Sequence, residues 1–305
     1  MKSFSTFKVA AAQATPVFLN KMATVDKASR LITEAAKKGA KLILFPEGFI
    51  PAYPDWAWVV PAGKKVLLNG LYSELFENSI ALGDAAVKKL CAAAKKSNIH
   101  VVIGVSERNS ESSNASLYNT TFYIGADGSM LGKHRKLVPT GGERLIWAQG
   151  DGSTLKAFGT PIGMLGGLIC WENYMPLARQ AMYNQGVQVY LAPTWDSGNV
   201  WLASMQHIAK EGGMYVVSCC MLLNMSDIPD RYEFKKLYPE GKLQINSGNS
   251  VIVNPKGEII AGPLNGKEGI LYADINLNDI PASKWILDTA GHYSRTDVFE
   301  LKVKN

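Results

Sequence analysis

Residues 27–47, KASRLITEAAKKGAKLILFPE, hold in one stretch the pattern that decides the fold. The opening part belongs to an Ala- and Lys-rich helix expected over Asn20 to Lys38, and Gly39 stops it as a C-terminal cap does. Lys41 to Phe45 then read as an apolar strand, with Glu47 standing just beyond its end. A helix, a cap, a strand and a polar residue at the strand exit make one step of an α/β layer.

The same alternation runs outward in both directions. Phe7 to Gln13, Ile99 to Val105, Leu117 to Gly125, Ile162 to Ile169, Val187 to Ala192 and Tyr215 to Cys219 have strand length and are rich in Val, Ile, Leu or Tyr. Ser79 to Ser97 predicts a second helix, with Leu82, Ala86, Leu90 and Ala93 on one face and Asp84, Lys88 and Lys95 elsewhere. Asp127-Gly128 and Lys256-Gly257 sit between apolar runs and predict β-hairpins. No linker, charge block or repeat divides the chain, so residues 1–305 read as a single domain. Polar and aromatic segments at 46–64, 136–153 and 224–247 are long for connections in a compact domain, and any site should draw on them.

Composition narrows the function. A hydrophobic fraction of 47% and a charged fraction of 19% exclude a disordered, collagen-like or coiled-coil chain. The net charge of +6 is spread over pairs such as Lys37/Lys38, Lys88/Lys89, Lys95/Lys96 and Lys235/Lys236, which read as solvated helix faces and not as a nucleic-acid surface. Cys91, Cys170, Cys219 and Cys220 are too few for a disulfide framework, and adjacent Cys219 and Cys220 lack metal-ligand spacing, so reduced thiols in cytoplasm are expected. The start, MKSFSTFKVAAAQATP, lacks a signal-peptide core, and no run of apolar residues is long enough to span a bilayer; a soluble protein with no membrane partner is expected.

The GxSxG, GxxxxGK[ST] and HExxH signatures are absent. Gly150-Asp-Gly152 resembles the opening of a dinucleotide loop, but Leu155 takes the third glycine position. Three reactive residues stand instead at strand exits. Glu47 follows LILFP, Lys136 follows MLGKHR and Cys170 closes PIGMLGGLI. Carboxyl ends of strands are where side chains converge in layered α/β proteins, so a carboxylate, an ammonium and a thiol would meet there. The carboxylate can take the thiol proton, while the ammonium favours thiolate and stabilises an anionic intermediate. Taken singly, each has a plainer reading: Cys170 as a small buried hydrophobe, Glu47 and Lys136 as surface charges.

Together the segments FPEGFIPAYP (45–54), KHRKLVPTGGERLIWAQGDGS (133–153) and LICWENYMPLAR (168–179) resemble, in order and spacing, the three active-site motifs of the nitrilase family of carbon-nitrogen hydrolases. GHYSRTDVFEL (291–301) is similar to that family's closing segment, so the resemblance covers nearly the whole chain. It implies a four-layer αββα sandwich that pairs through a helical face into an αββα-αββα homodimer. Carried over by motif, Cys170 is the nucleophile, Glu47 the general base, Lys136 the stabiliser of tetrahedral intermediates, and Glu143 a second glutamate that positions Lys136 or the substrate. Glu143 beside Arg144 also reads as a surface ion pair. His134 is expected to support the loop by hydrogen bonding, and Glu172 to be a buried ion-pair member.

The implied reaction is attack of the Cys170 thiolate on a nitrile carbon, giving a thioimidate and then a thioester, with ammonia and a carboxylic acid released and no metal or organic cofactor required. Amidases and carbamoylases of the superfamily share the Glu, Lys and Cys. Trp171-Glu172-Asn173 resembles the CWEN form of the nitrilase branch and favours a small-molecule nitrile. A non-catalytic assembly protein on the same fold is the third reading, against which the four intact residues count. Tyr53, Trp171, Thr194 and Trp195 are candidate substrate contacts, Trp171 also reading as core packing. Trp56 and Trp58 read equally as pocket lining or as dimer-interface anchors, and Trp147 is a further aromatic of the site loops. The chain stops four residues after Leu301, which favours a dimer or small oligomer over long spirals.

Overall fold

The computed structural model describes residues 6–111 and 113–304. The first part of the chain builds one sheet from β1 (Phe7–Gln13), β2 (Ala40–Leu44), β3 (His100–Arg108), β4 (Leu117–Ile124), β5 (Met130–Arg135) and β6 (Trp147–Ala148). The second part builds another from β7 (Phe158–Thr160), β8 (Gly163–Gly166), β9 (Val189–Thr194), β10 (Tyr215–Cys220), β11 (Leu222–Asn224), β12 (Gln244–Val253) and β13 (Ile259–Asn265). Last, β14 (Gly269–Ile275) returns to the first sheet and pairs antiparallel with β1, Phe7 opposite Ile275. The strand orders are β14-β1-β2-β3-β4-β5, with β6 on β4, and β11-β12-β10-β9-β8-β7, with β13 on β12. At the centre of each, β1-β2-β3 and β8-β9-β10 run parallel.

Parallel neighbours need crossovers, and helices supply them. They are α1 (Lys21–Lys37), α2 (Trp56–Val59), α3 (Lys65–Asn78), α4 (Ala85–Ser97), α5 (Pro176–Asn184) and α6 (Asn199–Gly212); the short α7 (Asp279–Lys284) follows the last strand. The two-residue period of a strand then sorts side chains into three cores. Val9 and Ala11 of β1, Leu42 and Leu44 of β2, and Val189 and Leu191 of β9 meet between the sheets. Ala10, Ala12, Ile43 and Phe45 face the other way, onto Val25, Ala28 and Ile32 of α1 and Leu90 of α4. Tyr190 and Ala192 face Met182 of α5 and Trp201, Met205 and Ile208 of α6. Two sheets lined by helices on both outer faces make the expected αββα sandwich.

Several elements depart from the sequence expectations. The helix expected over Ser79 to Ser97 begins at Ala85, because Asp84 caps it, accepting from the Val87 N–H at 3.0 Å, while Ile80 bridges to Glu107 of β3. Leu82 therefore lies outside the helix and is exposed, and Val87 and Ala94 are buried with Ala86 and Leu90. The helix α3 was not expected at all; Gly70 stands in its interior and only Leu71 and Leu75 are buried. Ile162 to Ile169 is extended enough to pair only over Gly163–Gly166 before the chain turns toward Cys170. Both hairpins form as expected, β4 to β5 and β12 to β13.

Candidate active site

Four buried polar side chains meet where β2, β5, β8 and β9 end. Glu47 sits in the turn after β2, a turn laced to β3 by the Ile50 N–H on the Gly104 carbonyl (3.2 Å) and the Ser106 N–H on the Ile50 carbonyl (2.7 Å). Lys136 follows β5 directly and is held on β4 by its own N–H, which donates to the Asn119 carbonyl at 2.8 Å. Glu143 lies in a single 3-10 turn, Gly141–Leu145, and closes a capping box with Thr140 by accepting the Thr140 N–H at 2.8 Å. Cys170 opens the 3-10 turn Cys170–Tyr174 with φ of +51°, a conformation that costs a non-glycine residue energy and lifts its side chain out of the strand line. Asn173 holds this strained turn, its amide donating to the carbonyls of Leu168 (3.0 Å) and Cys170 (2.8 Å).

The cluster is tied together by hydrogen bonds. The Lys136 ammonium donates to Glu47 Oε1 at 2.7 Å and to Glu143 Oε2 at 2.8 Å. Glu47 Oε1 also accepts from Asn119 Nδ2 at 2.7 Å, and its Oε2 accepts from the backbone N–H of Trp195 at 2.8 Å. The Cys170 thiol is close enough to the Glu47 carboxylate to favour its charged form, and the Thr194 hydroxyl donates to Cys170 Sγ at 3.1 Å. Tyr53 completes Glu143, its hydroxyl donating to Oε1 at 2.7 Å.

Burial dominates the electrostatics. It pushes the Glu47 carboxyl above its ordinary range, against the pull of Lys136. It raises the Cys170 thiol as well, and the neighbouring Glu47 adds to this while Lys136 and Thr194 oppose it. For Lys136 burial works toward neutrality, but Glu47, Cys170 and Glu143 outweigh it and hold the ammonium charged. A dry site with two carboxylates and one ammonium has no room for a further free anion. Ionisation of the thiol in this site therefore needs a neighbouring group to take its proton, and Glu47 is the carboxylate whose charge weighs most on it.

A cavity of about 270 Å³ reaches Cys170 and is lined by Tyr53, Trp58, Thr140, Glu143, Trp171, Trp195, Asp196 and Ile245 among others. Tyr53 and Trp195 stack with ring centroids 4.3 Å apart and planes within 7°. Trp58 donates from its indole to the Tyr53 hydroxyl at 3.1 Å, and half-exposed Trp171 donates to Asp196 Oδ2 at 2.8 Å. Thr194 is buried against the thiol and does not line the cavity. Trp56 serves neither of the uses open to it from the sequence: it is fully buried among Phe18 and Phe234. Trp147 is buried edge-on to Tyr53. His134 and Glu172 pair in the interior, Nε2 to Oε2 at 3.0 Å. Among the described residues no group of three or more His, Cys, Asp or Glu is arranged to hold a metal ion, and no helix is long and apolar enough to cross a membrane.

Asn119, Asp55, Asp196 and Asn246 surround this cluster without having been singled out from the sequence. Asn119 is one polar residue within an apolar strand run, and a strand position facing a known carboxylate is the only signal that would have marked it.

The sequence profile of the carbon-nitrogen hydrolase family matches residues 8–284. The chain is similar to nitrilase 1 of Arabidopsis thaliana, 41% identical with 98% of this chain and 87% of that protein covered. It is likewise similar to an aliphatic nitrilase of Sinorhizobium fredii, 41% identical over 97% of this chain and 95% of the relative. Among solved structures, a branch 10 member of the nitrilase superfamily from Saccharomyces cerevisiae superposes with a TM-score of 0.71 at 20% identity, covering 95% of this chain and 97% of the other.

Proposed function

The chain belongs to the carbon-nitrogen hydrolase family, and from that premise we propose that it is a nitrilase, converting an organic nitrile and two waters to a carboxylate and ammonia. The observation that carries this reading is the buried contact of Cys170, Glu47, Lys136 and Glu143 at the floor of a cavity. The choice of nitrile is supported by full-length likeness to relatives named nitrilases and by the Cys170-Trp-Glu-Asn173 run.

Cys170 is the nucleophile. Its proton passes to Glu47 as sulfur bonds to the nitrile carbon, so no isolated thiolate is stranded in the dry site. Glu47 returns that proton to the nitrogen, giving a thioimidate. Water then adds to the C=N carbon, Glu47 taking one of its protons, and Lys136 stabilises the tetrahedral adduct. Glu47 returns that proton to the nitrogen and then carries the adduct's hydroxyl proton to it, so that ammonia leaves as the thioester C=O forms. A second water, deprotonated in the same way, cleaves the thioester and frees the acid and the thiol. Expulsion of sulfur from the first adduct in place of ammonia releases an amide, so a minor amide product accompanies the acid. Glu143, fixed by Tyr53 and Thr140, holds Lys136 in line. Tyr53, Trp171 and Trp195 contact the substrate from the cavity wall, and Thr194 acts on the thiol.

The whole chain acts as one hydrolase unit, supported by the return of β14 to β1. Self-association into a homodimer is part of the proposal; exposed Leu177, Tyr293, Val298 and Phe299 line one groove of about 1080 Å³ beside α5, together with polar residues such as Gln180 and Asn184, a mixed surface of the kind a second copy can cover. A reducing, cytoplasmic setting suits an enzyme whose four cysteines are all free.

The test is ammonia release by purified protein and its Cys170→Ala variant from aliphatic, aryl and arylaceto nitriles, run beside the matching amides. Turnover of nitriles that disappears in the variant is expected. Turnover of amides alone would move the chain to an amidase reading, and no turnover of either would overturn the enzymatic one.

A further inference from the structure

Glu47 Oε1 already accepts two donors, from Lys136 and Asn119, and a carboxylate oxygen has two lone pairs. Its Oε2 accepts one, from the Trp195 N–H, which leaves Oε2 as the oxygen with a lone pair free for a proton. The direction of that lone pair depends on where the Thr194-Trp195 peptide sits. The same dipeptide touches the nucleophile through Thr194.

The Trp195 end of this peptide is gripped on every side. Its carbonyl accepts from Asn246 Nδ2 at 2.5 Å, and its ring lies flat on Tyr53. Its indole lies beside the Asp55 carboxylate, which accepts the Tyr238 hydroxyl. Asp55 and Tyr238 are both buried, and among the described residues no cation is in salt-bridge contact with Asp55. A buried carboxylate without an ion-pair partner is costly, and an apolar residue would pack there at less expense, so its presence calls for a task.

We infer that Asp55 is a positioning residue for Glu47, acting through the indole of Trp195, and that the 224–247 segment completes this support with Tyr238 and Asn246. The inference rests on the reading of Glu47 as the base. The groups that face Glu47 are Lys136, Glu143 and Cys170; those that face Asp55 are Tyr238 and Lys242.

The experiment follows alkylation of Cys170 by iodoacetamide across pH, read by peptide mass spectrometry, in the unaltered protein and in Asp55→Ala, Asp55→Asn, Tyr238→Phe and Glu47→Gln, with kcat and KM for a nitrile measured in parallel. Asp55→Ala is expected to slow both alkylation and kcat by about 10- to 100-fold, the cost of a misplaced base, with KM within about threefold. Asp55→Asn and Tyr238→Phe, which keep the volume, are expected to lose about 3- to 10-fold and carry the test if Asp55→Ala does not fold. A rate that depends on Glu47 and is indifferent to all three other changes, with its pH profile unmoved, would overturn this inference alone. A rate indifferent to Glu47→Gln would overturn the base assignment and this inference with it.

Discussion

His134 and Glu172 face each other in the interior, Nε2 to Oε2 at 3.0 Å, and the same carboxylate accepts the N–H of Leu137 at 2.5 Å and of Ile169 at 2.8 Å. One side chain thus ties the residue after Lys136 to the residue before Cys170. Removing it leaves the imidazole Nε2 and two backbone amides without a partner. Glu172→Ala is expected to cost about 3–5 kcal/mol of stability in urea denaturation, and Glu172→Gln distinctly less, since an amide oxygen still accepts. Equal costs for the two would mean that volume alone is at stake.

The pair also sets a pH window. Burial alone would raise Glu172, but His134 and the two backbone N–H groups outweigh it and lower it below its usual 4.5; its contribution is present above that value and fades as pH falls. Burial alone would lower His134, yet Glu172 raises it above 6.5; its contribution is whole below that value and fades as pH rises through the raised one. The stability difference between the unaltered protein and a His134→Gln/Glu172→Gln double variant is expected to peak between about 4.5 and 6.5. A difference that is flat from acid to alkaline pH would refute the assignment.

Gly104 of β3 underlies the Glu47 turn. A Cβ there would lie 2.7 Å from Glu47 Cα and 2.6 Å from Gly48 N, and would strike the Pro46 carbonyl too. Backbone must move to admit it. Gly104→Ala is expected to cost about 1–3 kcal/mol from overpacking and to lower kcat by about 100-fold, because the displaced atom carries the carboxylate proposed as the base. Measured Tm and kcat of this variant check both; unchanged kcat would show that the turn can shift without harm.

Lys136 pulls the Glu47 pKa down against its burial. In Lys136→Ala that pull is gone, so the acid limb of the kcat/KM profile, or of Cys170 alkylation where turnover is too slow, should move to higher pH. Loss of the ammonium near the tetrahedral adducts should also lower kcat by at least about 100-fold. An acid limb left in place would separate Glu47 ionisation from Lys136.

Elements with local signals were legible in advance. β1 matches its expected bounds, α1 runs between Asn20 and Lys38, and both Gly-containing hairpins form. What was missed lacks such a signal: α3 carries a glycine mid-helix, and β14 pairs with a strand more than 250 residues earlier. In the site, Glu47, Lys136 and Cys170 stood out by strand-end position and motif, and Glu143 by motif. Asn119 and Asp55 did not, because nothing near them in the chain distinguishes them from other polar residues.

The chain by itself determined which segments are strands and helices and which reactive groups lie at their exits, since backbone preference, capping and the two-residue alternation of apolar side chains act over a few neighbours. Only the strand order within each sheet and the stacking of the two sheets decided which groups meet. Glu47 and Lys136, 89 residues apart, meet through the strand order of the first sheet, and Glu47 and Trp195, 148 apart, through the stacking of the second sheet on it; no local rule chooses either. The same packing buries the cluster, and that burial raises the Glu47 carboxyl and the Cys170 thiol above their ordinary ranges.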